Sequence, residues 1–99
     1  MLNIKKERME GELSLALSGR LDTITAPELE KELGSSLAGV TRLVLDLAGL
    51  EYISSAGLRV LLSTQKVMNR QGNMRLVHVN ETIMEIFEVT GFADILTIA

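Results

Sequence analysis

Two adjacent serines, Ser54 and Ser55, are the residues of this chain best placed to do chemistry. Ahead of them Leu43-Val44-Leu45-Asp46-Leu47 reads as a strand and Ala48 to Ile53 as a loop, and after them Ala56-Gly57-Leu58-Arg59-Val60-Leu61-Leu62 opens a helix. The start of a helix leaves backbone N–H groups without partners and gathers positive partial charge, so a hydroxyl there can cap the helix or carry a phosphate. Stepping about 100° per residue from Leu58 gathers Arg59, Ser63, Lys66 and Arg70 near about 110°, with Leu61, Thr64, Gln65, Val67 and Met68 on the opposite side. The same count sets Ser55 at about 60°, beside Arg59 and Leu62, and Ser54 at about 320°, toward the buried side. Ser54 is therefore the expected N-cap and Ser55 the exposed first-turn hydroxyl. Gly57 is a poor helix former, about 1 kcal/mol worse than Ala, which predicts that a partner or a phosphate approaches the backbone there.

Other chemistries find few residues to work with. There is no Gly-rich loop ending in Lys-Ser or Lys-Thr, no pair of histidines and no Gly-x-Ser-x-Gly elbow. His78 is the sole histidine, so Ser55, His78 and Asp46 make the one hydrolase that could be assembled, and nothing in their spacing brings them together. Asp46 near the end of its strand can serve a functional loop or simply bond the following turn. Asp22, after the glycine-containing strand end Gly19-Arg20-Leu21, reads first as a turn former or local cap. Without cysteine there is neither a disulfide nor a zinc site of the Cys type. A net charge of −3 with both signs interspersed argues against nucleic acid and anionic membranes as partners. No signal-type or membrane-spanning apolar run is present, so the cytoplasm is the expected compartment.

The elements that must position the serines follow from periodicity. Ninety-nine residues, 46% hydrophobic and 23% charged, suit one soluble domain over 1–99. Leu2 and Ile4 begin a strand ending near Arg8, Glu10-Gly11 turns the chain, and Leu13, Leu15 and Leu17 alternate in a second strand opposite small Ser14, Ala16 and Ser18. Thr25-Ala26-Pro27-Glu28 predicts a helix start with Thr25 as cap and Glu28 reaching back, a stripe of Leu29, Leu33 and Leu37, and a stop at Gly39. The helix after Ser55 should stop at Gly72 behind Lys66 and Arg70. Met74 to Val79 predicts a strand, Asn80 a cap for a helix with Ile83, Ile86 and Phe87 inward and an end at Gly91, and Phe92 to Ile98 a short turn and last strand. The opening hairpin is antiparallel and the helical crossovers imply parallel pairing. The expected fold is a two-layer α/β domain with a mixed, mostly parallel sheet and helices mainly on one face.

Gly19-Arg20-Leu21-Asp22, Ala26-Pro27-Glu28-Leu29, Leu45-Asp46-Leu47 and Ile53-Ser54-Ser55-Ala56-Gly57-Leu58 resemble, in order and spacing over almost the whole chain, the STAS domain of bacterial anti-sigma factor antagonists. The resemblance implies a switch without catalysis or cofactor. An unphosphorylated antagonist binds an anti-sigma factor that is also a serine kinase, freeing the sigma factor; phosphorylation discharges it and a serine phosphatase resets it. Residue by residue, the family's phosphorylated serine falls on Ser55, its helix-opening glycine on Gly57 and its loop aspartate on Asp22. Joined to the polar face of the helix, these give an expected partner surface of Asp22, Thr23, Ser54, Ser55, Gly57, Arg59, Leu62 and Lys66, on a monomer. Leu62 there is either an apolar contact with a charged rim or packing under the neighbouring loop. Two departures stand out: Ser54 replaces the commoner aspartate before the phosphorylated serine, and Ala56 replaces the serine after it. Two alternatives remain, a STAS subunit of a transport or scaffold complex that never switches, and a small anion or nucleotide binder using the helix start.

Overall fold

Alternating leucines write the sheet. In the computed structural model, which describes residues 1–99, strands β1 (Leu2–Met9), β2 (Glu12–Leu21), β3 (Arg42–Ile53) and β4 (Asn73–Val77) form one sheet in the order β1-β2-β3-β4. The pair β1/β2 is an antiparallel hairpin turned at Gly11, whose φ of 71° is the left-handed conformation a glycine takes without strain. The pairs β2/β3 and β3/β4 are parallel, each crossed by a helix: α1 (Ala26–Ser36) and α2 (Ser55–Gln71). The mixed sheet read from the sequence is the one observed.

Period-two alternation sends Leu13, Leu15, Leu17, Leu43, Leu45, Leu47, Met74 and Leu76 to one face, where every one is buried. Leu29 and Leu33 of α1, Leu58, Leu61 and Met68 of α2, and Ile83 and Phe87 of α3 (Glu81–Thr90) join them in a single core. On the other face Ser14, Ala16, Ser18, Val44 and Asp46 are only half-buried, as small and polar side chains on a sheet without a second helical layer should be. The β1 edge is tied to α1 by long basic side chains: Lys6 pairs with Glu32 at 3.0 Å, and Arg8 donates to the carbonyls of Ser36 and Ala38 at 3.0 and 3.1 Å, where α1 has no basic residue of its own.

Four local expectations need correction. The segment Ala48 to Ile53 is strand, not loop: β3 runs on to Ile53 against Leu21. Register shifts opposite Ala16/Ser18 and Gly19/Arg20 each insert an extra residue in β3, so Leu47, Leu50 and Ile53 all face inward at a spacing of three that breaks the period-two signal. Thr25 does not cap α1. Its backbone is already helical (φ −92°, ψ −20°) and its hydroxyl is taken by the turn before the helix, while Glu28 makes no return bond. β4 ends at Val77, because His78 adopts φ 55° and turns the chain away from the ladder. Phe92 to Ile98 forms a 3₁₀ turn at Phe92–Asp94 and a lone bridge from Ile98 to Leu76 in place of a full strand.

Candidate functional site

The carboxyl ends of β2 and β3 lie side by side, with the start of α2 pinned to them by the Ser54 N–H, which donates to the Leu21 carbonyl at 2.8 Å. Ser54 has the extended backbone an N-cap needs (φ −95°, ψ 175°), and its hydroxyl accepts from the Gly57 N–H at 3.4 Å. Ser55 is the first helical residue. It is exposed, and its hydroxyl has no hydrogen-bond partner within the chain. The division of labour between the two serines that helical geometry dictates is thus present.

Gly57 is buried, and the sequence-based reading of it must change. A Cβ there would come within 2.7 Å of Leu21 Cγ and 2.9 Å of Ile53 Cγ1. The chain's own strand ends approach this backbone, and Gly57 lets α2 seat on β2 and β3 with no surface left for a partner or phosphate.

The loop between β2 and α1 is held just as firmly. Asp22 Oδ1 accepts from the N–H groups of Ile24 and Thr25 at 3.0 and 3.1 Å, the Asp22 N–H donates to the Thr25 hydroxyl at 2.8 Å, and that hydroxyl lies 2.8 Å from the Arg20 carbonyl it can donate to. Arg20 Nε lies 3.7 Å from Asp22 Oδ2, and its guanidinium stacks 4.5 Å from the centre of the Tyr52 ring. The Thr25 N–H bond above all, then the Ile24 N–H, the Thr25 hydroxyl and the Arg20 charge, hold the Asp22 carboxyl below the ordinary aspartate range, with desolvation opposing them. Asp22 is a turn former first, with only Oδ2 left toward solvent and Arg20.

Beside this loop a depression of about 350 Å³ opens between the first turns of α1 and the polar face of α2. Thr23, Arg59, Leu62 and Lys66 line it together, with Ala56 and Val60 at its floor and Glu30 on the α1 wall. Arg59 and Lys66 make no ion pair, so two unneutralised cations face the opening. Leu62 is half-buried, at once packed and presented. Ser54, Ser55, Asp22 and Gly57 stay outside the lining. Ile24, 82% exposed at the tip of the Asp22 loop, escaped the sequence reading although an isoleucine between two threonines in a short connection has no element to bury it.

His78 Nδ1 lies 3.2 Å from Asp46 Oδ2, and Asp46 Oδ1 accepts from the Ala48 N–H at 3.0 Å, so Asp46 bonds its own strand at the first register shift of β3 and not a following turn. Neither residue is joined to Ser55 by a hydrogen bond, and no hydrolytic triad forms. No group of three or more His, Cys, Asp and Glu side chains is gathered as metal ligands would be, and no helix is long and apolar enough to cross a membrane.

The family described as STAS domain matches residues 3–99. Among named proteins, this chain is 37% identical over 100 residues to BtrV of Bordetella bronchiseptica, to which anti-sigma factor antagonism is provisionally assigned; the match covers 99% of this chain and 86% of that protein. It is 27% identical over 99 residues to the anti-sigma-B factor antagonist of Bacillus subtilis, covering 99% of this chain and 91% of that one. The crystal structure of an anti-sigma factor antagonist from Mycobacterium paratuberculosis superposes with a TM-score of 0.88 at 25% identity, over 99% of this chain and 85% of that one.

Proposed function

The chain belongs to the STAS domain family, and from that premise we propose that it is an anti-sigma factor antagonist switched by phosphorylation of Ser55. In its unmodified state it binds an anti-sigma factor that is also a serine kinase, and the sigma factor held by that protein is released. The kinase then transfers a phosphoryl group from ATP to the Ser55 oxygen, the hydroxyl proton is lost, and the phosphorylated antagonist dissociates. A serine phosphatase returns it to the binding state. The switch acts as a monomer in the cytoplasm, where ATP and sigma factors are found.

The observation that carries this reading is the contrast between the two hydroxyls: that of Ser54 is committed to the cap, while that of Ser55 is exposed and unbonded, one turn ahead of Arg59 on the same helix. A phosphate on Ser55 adds roughly −1.5 to −2 charges at the positive end of the α2 dipole, one turn from Arg59, so it should leave the helix intact. Discharge must then arise at the interface. A hydrated dianion forced against a surface shaped for a small neutral hydroxyl loses solvation, and a penalty of about 3 kcal/mol weakens binding more than 100-fold.

Calorimetric titration of the cognate anti-sigma factor with three forms of the antagonist tests this. Unmodified protein and Ser55→Ala should bind alike, whereas Ser55→Asp, with about half the charge and less bulk than phosphate, should bind more weakly. Equal affinity of Ser55→Asp and the unmodified protein would refute the proposal.

A further inference from the structure

The depression beside Thr23 does not end at Lys66. Past Glu30, Val60 and Ser63, which border both, a second hollow of about 150 Å³ continues between α1 and α2 to Leu33, Gly34, Leu37 and Val67. The two form one groove along the helix pair, edged on the α2 side by Arg59 and Lys66 and apolar where it runs along Leu33, Gly34 and Leu37 of the α1 side.

Two features of the apolar stretch have no explanation inside the chain. Val67 remains 41% exposed on a helix whose neighbouring apolar positions are buried. Gly34, in the last turns of α1, has a φ outside the left-handed region, and a Cβ added to it would meet nothing within 4 Å. It costs helix stability and resolves no internal clash, unlike Gly57. What it does is keep the α1 wall low opposite Val67. The groove is also held at both ends: Gln71 Nε2 donates to the carbonyls of Leu37 and Val40 at 2.8 and 2.7 Å, fastening the far end of α2 to the chain just after α1, while the Ser54 N–H fastens the start of α2 to the end of β2. A rigid groove loses little entropy when filled.

We infer that this α1/α2 groove receives an acidic amphipathic helix of a protein partner, its apolar side over Gly34 and Val67 and its carboxylates on Arg59 and Lys66. The charge argues for the acidic character: the groove carries two unpaired cations against the single carboxylate of Glu30, on a chain whose net charge is −3. Arg59 and Lys66, seven residues apart, are about 10 Å from one another along the helix axis, which matches carboxylates two turns apart on the incoming helix. The inference deepens the reading above by naming the docking element, and rests on it only in taking a protein as the partner; no phosphate at Ser55 is needed.

The test uses the full chain and a synthetic helical peptide about four turns long, with Leu and Ala on one side and two glutamates two turns apart beside them. Amide NMR resonances of Gly34, Val60, Ser63 and Val67 should shift saturably with this peptide. They should not respond to a charge-reversed peptide carrying lysines. The double variant Arg59→Glu, Lys66→Glu and the variant Gly34→Leu should each weaken binding at least about tenfold. Gly34→Ala should raise the Tm by a few degrees, and Gly34→Leu should not lower it, so that lost binding is not lost folding. The inference is overturned if the acidic and charge-reversed peptides act alike, if Gly34→Leu binds as tightly as the parent, if dodecanoate shifts the same resonances as strongly, or if dilution alone shifts them, which would make a second copy the occupant.

Discussion

Two of the three α-helices start in the same way on paper and differ in what they leave unsatisfied. At α3 the cap Asn80 accepts from the Ile83 N–H at 3.0 Å and its amide donates to the Leu50 carbonyl at 2.8 Å, while Glu81 supplies a negative charge in the first turn. At α2 the cap Ser54 accepts from Gly57 at 3.4 Å, no acidic residue lies in the first turn, and Ser55 has no partner. The first start is complete in electrostatic terms. The second has room for a negative charge that the chain itself does not provide, and Arg59 one turn on increases that room. If Ser55 is the phosphorylated residue proposed above, what sets it apart is less its own type than its neighbours' failure to neutralise the helix end.

The largest expected effect comes from the glycine that seats α2. Gly57→Ala should destabilise by about 1–3 kcal/mol in urea unfolding despite its better helix propensity, because Leu21 and Ile53 are fully buried and cannot withdraw from the added methyl. A neutral or stabilising result would mean that α2 can ride up on the strands and that its start is not fixed. Next come the caps. Asn80→Ala should cost about 1–2 kcal/mol, since it removes the cap and strands the Leu50 carbonyl, whereas Ser54→Ala, losing a single longer bond, should cost about 1 kcal/mol or less. If the order were reversed, the claim that α3 is the more complete start would fail.

Acid should loosen the Asp22 loop. The folded-state pKa of Asp22 is lowered, so its contribution to stability is fully present above the unfolded value of about 3.9 and is lost as pH falls through the folded value. Unfolding midpoints followed from neutral pH downward should therefore drop less steeply in Asp22→Ala than in the parent. The smallest effects are those of charge alone. Ser55→Asp should stabilise by about 0.3–1 kcal/mol and Glu81→Gln should destabilise by a similar amount, both fading at high salt.

The core was legible because its signals are local and periodic: leucines at period two in β2 and β3, caps at Ser54 and Asn80, and the stop at Gly91. What escaped depends on neighbours distant in sequence. The end of β3 hid behind two register shifts that only its pairing with β2 reveals. Thr25 had the right type for a cap, but the Asp22 turn engages its hydroxyl first. Gly57 drew notice as a poor helix former, yet whether a partner or the chain itself approaches it depends on where Leu21 and Ile53 end up. Of the candidate site, Thr23, Arg59, Leu62 and Lys66 do come together, while the α1 wall with Glu30 and the exposed Ile24 could not be placed before the two helices were packed.

The central claim is that the hydroxyl left free at the start of α2 is the one the switch uses. The direct measurement is tandem mass spectrometry of the protein after incubation with its cognate kinase and ATP, with the modified residue assigned from fragments that separate position 54 from position 55. A single phosphate on Ser55, with Ser54 unmodified and with Ser54→Ala still phosphorylated, is the predicted result. A phosphate on Ser54, or full modification of Ser55→Ala, would contradict it.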